Sequence, residues 1–339
     1  MDKVYIIAEA GVNHNGDFNK AISLIDRAKD AGVDAIKFQT FKSEKLVSEV
    51  CEMADYQKDN LKKDGSQLEM LKKLELSNES YIKLKAYCEK VEIEFLSTPF
   101  DTESLHFIVN ELKVRKIKVA SGDLNNFPFL DEVANKNLST IISTGMADLG
   151  EVSETVKFFE DHKIFNKDLS ILHCTTNYPT PYEEVNLFAM QTIGNAFKRD
   201  VGYSDHTIGI EVPICAVGLG AKIIEKHFTL DKTLEGPDHS ASLDPLELKQ
   251  MVMSIRNIEK ALGNGIKEPN KSEIKIKDTI RKSLVLTKDI ESGETITNEY
   301  LTQKRPGYGV QPRDLNIVLG MTVKQTLKRD TVLQWKHFK

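Results

Sequence analysis

No apolar run in this chain approaches the roughly 20 residues needed to cross a bilayer, so no membrane-spanning helix is expected. The start, MDKVYIIAEAG, passes from two charged residues straight into a strand-like run. It lacks the basic, apolar and small-residue zones of a signal peptide, and a cytoplasmic location is expected. Cysteine is scarce. Cys51, Cys88, Cys174 and Cys215 show no CxxC spacing, which fits free thiols in a reducing compartment better than a disulfide framework. Excess charge is also small: 46 basic against 51 acidic residues leave a formal charge of -5 over 339 residues. Neither a general nucleic-acid binder nor a membrane-surface binder is expected from that balance.

What the chain does have is a rhythm. About eight short β-type runs alternate with helical segments, and nearly every run ends in polar residues. They are VYIIAEA with Glu9, AIKFQT with Lys37 and Gln39, EFLSTPF with Thr98, IKVASGD with Lys118, Ser121 and Asp123, TIISTGM, SILHCTTNYP with Thr176, Asn177 and Tyr178, VGYSDHT with Ser204 and His206, and AKIIEKHFT with His227. Residues 18 to 32 illustrate the intervening helices, with Ile22, Ile25, Ala28 and Ala31 on one face and Gly32 to end the helix. Such alternation implies parallel strands, and closure into a (β/α)₈ TIM barrel gathers their C-terminal ends at one rim. One interval is too long: about 35 charged residues after Gln39 read as a functional or mobile loop.

After the amphipathic segment 243 to 263 the pattern changes. We read 1–263 as the barrel, 264–281 as a charged linker and 282–339 as a small mainly-β domain. Its strand candidates are SLVLTKDI, ESGETI, YLTQKRPGYGV, NIVLGMTV and VLQWKHF. At about 58 residues that domain is near the lower limit for independent stability.

Within the barrel the strongest pair is His206 and His227, separated by one strand-helix-strand unit. Adjacent imidazoles with oxygen ligands suit a divalent metal such as Mn²⁺; hydrogen bonding within the barrel mouth is the bland alternative. Lys37 and Lys118 interrupt apolar runs, which requires an accompanying anion or carboxylate. Phosphate binding is one reading, and an ion pair with Glu9 or Asp123 is the other. The hydroxyls of Thr98, Ser121 and Ser204 favour the first. Glu9 is a candidate acid or base. Asp205 either orients His206 or caps the following helix, and GPDH is a rigid turn that presents Asp238 and His239 to the site or to solvent.

The ordered set EAGVNHNG, KFQT, STPF, ASGD, STGM, HCTTNYPTPY, GYSDHT, EKHFT and GPDHSASLDP resembles the N-acetylneuraminate (sialic acid) synthase family, and KRPGYGV resembles its small antifreeze-like (SAF) domain. The resemblance spans essentially the whole chain. It implies condensation of phosphoenolpyruvate with open-chain N-acetylmannosamine and water, giving N-acetylneuraminate and phosphate. The alternative acceptor is the 2,4-diacetamido-2,4,6-trideoxymannose of the related N,N'-diacetyllegionaminic acid synthases, which share the Tyr56-Gln57 feature. It also implies a divalent metal (Mn²⁺, with Mg²⁺ or Co²⁺ as alternatives) on His206 and His227. Phosphoenolpyruvate contacts fall to Lys37, Thr98, Lys118, Ser121 and Ser204, and sugar contacts to Gln39, Asp238 and the long loop. A domain-swapped homodimer would bring Arg305 to the sugar. Asp123, where many members have Glu, and Thr176, where one branch has Asn, depart from the pattern beside Asn177 and Tyr178. A pyruvate aldolase or a non-catalytic carbohydrate binder are the competing classes.

Overall fold

The computed structural model describes residues 3–62, 65–164 and 168–339; the side chains of Tyr56 and Asp59 lie outside that description. It divides into two compact units, Met1–Asn264 and Gly265–Lys339. Among the described residues no helix is long and apolar enough to cross a membrane.

Eight parallel strands build the first unit: β1 (Tyr5–Gly11), β2 (Ala35–Thr40), β3 (Glu94–Pro99), β4 (Lys116–Val119), β5 (Ser139–Ser143), β6 (Leu169–His173), β7 (Val201–Asp205) and β8 (Ile223–His227). Their order is β3-β2-β1-β8-β7-β6-β5-β4, and β3 and β4 lie side by side across the remaining seam. This is the expected TIM barrel. The helices alternate with the strands. They are α1 (Phe18–Ala31), α2 (Ser43–Leu46), α3 (Asp55–Leu61), α4 (Gln67–Leu74), α5 (Asn78–Lys90), α6 (Thr102–Asn110), α7 (Phe127–Ala134), α8 (Leu149–Asp161), α9 (Leu187–Phe197), α10 (Glu211–Gly218) and α11 (Pro245–Leu262). Their boundaries have local causes. Asp17 caps α1 by accepting from the amides of Asn19 and Lys20, and Gly32 ends it with φ 81. Asp244 and Glu247 form a capping box at α11.

Strand alternation of period two turns each strand into a stack of layers. Ile7, Ala35, Leu96, Ile141, Leu172 and Ile223 fill the barrel interior as one apolar plug. Two residues further along the same strands come Glu9, Lys37, Thr98, Ser143, Cys174 and Glu225, all lining a cavity at the C-terminal end. The outward residues, such as Ala8, Phe38, Val119 and Ile142, pack under the helices.

The interval after β2 is not a bare loop. It holds α2, α3 and α4, because Leu71 and Leu74 pack with Val12 and Phe41 in a satellite apolar cluster. Glu75 accepts hydrogen bonds from Ser43 N, Ser43 Oγ and Lys42 Nζ, which ties the ends of the excursion together.

The second unit contains the helix α12 (Lys271–Ile280), inside the segment expected as linker, followed by β9 (Ser283–Leu286), β10 (Leu301–Lys304) and the short helix α13 (Leu315–Val318). Among the described residues of this unit only β9 and β10 form a ladder. The other candidate strands contribute isolated bridges, such as Ile290 to Leu327 and Val323 to Phe338. The start of NIVLGMTV lies in α13 (LNIV) rather than in a strand, since Pro312 and Asp314 start a helical turn just before it. Leu284, Leu286, Ile296, Val310, Val323 and Leu333 supply this unit's core.

Gly202 shares the level of the apolar plug, and a Cβ there would stand 2.3 Å from Ile223 O and 2.6 Å from Leu172 Cδ2. Gly202→Ala should therefore destabilise the barrel by about 1–3 kcal/mol through overpacking. Thermal denaturation followed by circular dichroism checks this; an unchanged midpoint would contradict the packing described.

Candidate active site

The polar layer at the C-terminal end of the barrel carries more charge than an interior ordinarily tolerates, and it does so by interleaving signs. Lys37 Nζ lies 2.8 Å from Glu9 Oε2 and 3.7 Å from Glu225 Oε2, and donates to Thr98 Oγ1 at 3.0 Å. Lys118 Nζ sits 3.8 Å from Glu225 Oε1 and donates to Ser143 Oγ at 2.6 Å. Ser204 Oγ donates to Glu225 Oε1 at 2.9 Å. Glu225 thus stands between the two lysines. Of the sequence alternatives for Lys37, the ion pair with Glu9 is present, and it lies on the cavity wall. For Lys118 the partner is Glu225 and not Asp123, whose carboxylate accepts from Asn126.

The protonation tendencies follow from burial and sign. Burial would raise the carboxyl of Glu225, but Lys118 and Lys37 outweigh it and hold the group below its ordinary value. Burial pushes the carboxyl of Glu9 up, and Glu225 adds to that while Lys37 pulls against it. Burial lowers Lys118 despite Glu225; it would lower Lys37 too, but Glu225 and Glu9 raise that lysine overall. Although Glu9 makes the shorter contact to Lys37, Glu225 holds the counter-charge. Glu9 is the carboxyl left able to exchange a proton near neutral pH.

Above this layer the two imidazoles converge, with ring centroids 5.3 Å apart. His206 Nδ1 donates to Thr175 O at 2.5 Å, which leaves its Nε2 lone pair for another partner. His227 Nδ1 is buried without a hydrogen bond, and its nearest carboxylate is Asp238 Oδ2 at 3.9 Å. Burial holds His206 down at about 4 and also drives His227 well below the ordinary imidazole range, aided by His206 and the lysines. Both rings are neutral donors at neutral pH. Among the described residues no set of three His, Cys, Asp or Glu side chains converges as a metal cage, so the pair fits an open site whose other positions fall to water or substrate.

The GPDH turn faces inward: Asp238 and His239 are buried. Asn13 Nδ2 donates to Phe228 O and to Ser242 Oγ, each at 2.9 Å, and Ser242 Oγ donates to Asp238 O at 2.6 Å. The excursion after β2 is fastened to the same turn, since Asn60 Nδ2 donates to Pro237 O at 2.6 Å and Ser240 Oγ donates to Asn60 Oδ1 at 3.1 Å.

The cavity encloses about 390 Å³ and is lined by Glu9, Lys37, Gln39, Gln57, Thr98, Lys118, Ser121, Thr176, Tyr178, Ser204, His206, His227 and Asp238. All of these are sequence candidates. Asp123 and Asn177 do not line it; Asp123 closes a short turn with Asn126, and the Asn177 carbonyl accepts from Thr180. Arg305 belongs to the second unit, where it is exposed and precedes Pro306. The Tyr56 side chain lies outside the described atoms. Sequence reasoning missed Glu225 and the apolar wall of Leu46, Val47, Met70, Leu71 and Leu74. Period-two counting back from His227 would have found Glu225.

Glu225→Gln removes the counter-charge from two buried ammonium groups. The variant should lose about 3 kcal/mol or more of stability in phosphate-free buffer, and inorganic phosphate should raise its thermal midpoint more than that of the unaltered protein. Equal midpoints and equal phosphate shifts would show that Glu225 does not balance the lysines.

Comparison with known proteins agrees with this geometry. The NeuB family model matches residues 24–267, and the SAF domain model matches residues 281–339. The N,N'-diacetyllegionaminic acid synthases of Legionella pneumophila and Campylobacter jejuni are each 48% identical, over 98% of this chain and 94% and 100% of theirs. The crystal structure of an N-acetylneuraminic acid synthetase from Leptospira borgpetersenii is 38% identical, with a TM-score of 0.72, covering 81% of this chain and 90% of that one. With its barrel, its paired imidazoles and its lysine-lined floor in place, the chain belongs to the NeuB family and carries that family's C-terminal SAF domain.

Proposed function

We propose that this enzyme condenses phosphoenolpyruvate with 2,4-diacetamido-2,4,6-trideoxymannose to give N,N'-diacetyllegionaminic acid and phosphate. The expectation from the sequence has N-acetylmannosamine first. The two relatives at 48% identity favour the diacetamido acceptor instead. The observation that carries the reading is the cavity's division into a cationic floor and an apolar side wall. Lys37 and Lys118, with the hydroxyls of Thr98, Ser121 and Ser204, suit the phosphate and carboxylate of phosphoenolpyruvate. Leu46, Val47, Met70 and Leu71 suit acetamido methyls and a deoxygenated C6, because an apolar wall gains from each buried methyl and leaves a hydroxyl unpaired.

The division of labour in the reaction follows from position. The lysines and hydroxyls hold the anion so that its enol carbon faces the sugar aldehyde, which converts an encounter into a positioned approach. A divalent cation held by His206 and His227 would supply Lewis acidity at the aldehyde oxygen. Glu9, the carboxyl raised by burial, takes and returns protons as water adds at the former enol carbon and phosphate leaves. Asp238 and Gln39 line the cavity and are assigned to the sugar's polar groups. Arg305 of the SAF domain is assigned to the sugar across a homodimer.

Phosphate release measured with phosphoenolpyruvate and Mn²⁺ tests the reading. The diacetamido sugar should exceed N-acetylmannosamine in kcat/KM by about tenfold or more, as one or two well-packed methyls allow. Chelation or His206→Ala should abolish turnover. Preference for N-acetylmannosamine would overturn the acceptor, full activity after chelation would overturn the metal, and turnover with pyruvate without phosphate release would indicate an aldolase.

A further inference from the structure

We propose that the buried Asp205 and Lys226 pair positions the two histidines, fixing β7 against β8 so that His206 and His227 keep the spacing required to share one divalent cation. This rests on the metal reading given above. It concerns residues that do not touch the cavity.

Lys226 Nζ lies 2.5 Å from Asp205 Oδ2, and both side chains are 0% exposed. The same ammonium donates to Thr207 O, while Asp205 accepts from Thr207 N at 3.1 Å and Thr207 Oγ1 at 3.0 Å. These contacts have a simple relation to the chain. Asp205 and Thr207 are the residues immediately before and after His206, and Lys226 immediately precedes His227. One ammonium group therefore holds the side chain of the residue before His206 and the carbonyl of the residue after it, from a position adjacent to the other imidazole. The register supports this, with Asp205 opposite Lys226 and Ser204 opposite Glu225.

Alternation puts the pair behind the site. Ser204, His206, Glu225 and His227 line the cavity, whereas Asp205 and Lys226 do not. At corresponding outward positions the barrel carries Ala8, Phe38, Val119 and Ile142, all in apolar clusters. An apolar pair of similar volume would be as stable or more stable there, so stability does not account for two buried charges. Directionality does. Dispersion contacts tolerate a sliding of strands by fractions of an ångström, while a charged hydrogen-bond ring closed over Asp205, Thr207 and Lys226 does not. The imidazoles, 5.3 Å apart between centroids, inherit that rigidity.

The test is a double variant, Asp205→Asn with Lys226→Met, which removes both charges together, keeps the volumes and leaves an acceptor for Thr207. No unpaired charge is then buried. Free Mn²⁺ measured by electron paramagnetic resonance gives the metal dissociation constant, and calorimetry gives phosphoenolpyruvate binding to metal-free protein. Folding is verified by circular dichroism at the working temperature. The Mn²⁺ dissociation constant should rise about tenfold or more, as for other changes behind metal-binding histidines, with phosphoenolpyruvate binding within about twofold. Lys226→Arg, which keeps a cation able to reach both oxygens, should recover most of the metal affinity. Unchanged Mn²⁺ affinity in the folded double variant overturns the inference if His206→Ala abolishes binding. If His206→Ala binds Mn²⁺ as well as the unaltered protein, the metal reading fails and the inference falls with it.

Discussion

Two ammonium groups and two carboxylates share one layer of the barrel, away from water, and the site exists because their charges can balance there. The plug of Ile7, Leu96, Ile141 and Leu172 beneath them excludes solvent from one side. Glu225 neutralises one positive charge permanently. Glu9 neutralises the other conditionally, since its carboxyl is the one that burial raises. An anion arriving over the lysines adds negative charge beside Glu9 and raises that carboxyl further. In the proposed reaction, phosphoenolpyruvate would thereby load Glu9 with a proton, with no moving part.

The walls of the site answer to a different constraint. A barrel rim is open, and the apolar wall must come from elsewhere. Here it comes from the excursion between β2 and α5, whose helices pack on Val12 and Phe100 and are latched to the β8 turn through Asn60. The charged floor belongs to the strands, and so moves only with the barrel itself. The apolar side belongs to short helices held by a few hydrogen bonds and a small cluster, which is the part of the structure with the least to lose on opening.

Much of this is legible in the amino-acid sequence alone. The strand rhythm with its polar tails announces the barrel and its rim, and Lys37, Lys118, His206 and His227 stand out because charge and imidazole interrupt apolar runs. Illegible parts have physical reasons. Glu225 sits beside Lys226 in EKH, where adjacent charges read as a solvated pair; only the inward and outward alternation separates them. Asp238 is ambiguous because a Gly-Pro turn looks the same whether it faces water or a cavity, and its direction is decided by Asn13, far away in sequence. The excursion reads as a loop because its lysines and glutamates mask the few apolar residues that fold it. Counting apolar runs gives the small domain too many strands, since its apolar residues pair by single bridges rather than ladders.

Asn13 on the tail of β1 bonds the β8 end across 215 residues of chain, and Glu9 pairs in register with His227. The site is thus a seam between the first strand and the last. A nascent polypeptide that has completed seven strands possesses the lysines and the hydroxyls but neither Glu225 nor His227. It has Glu9 to pair with Lys37 but lacks the carboxylate that stands between Lys37 and Lys118. Closing the barrel joins segments of very large sequence separation, the slowest class of contact for a folding chain. Assembly of the chemistry and completion of the barrel are therefore one event, since an N-terminal fragment short of β8 lacks both Glu225 and the second imidazole.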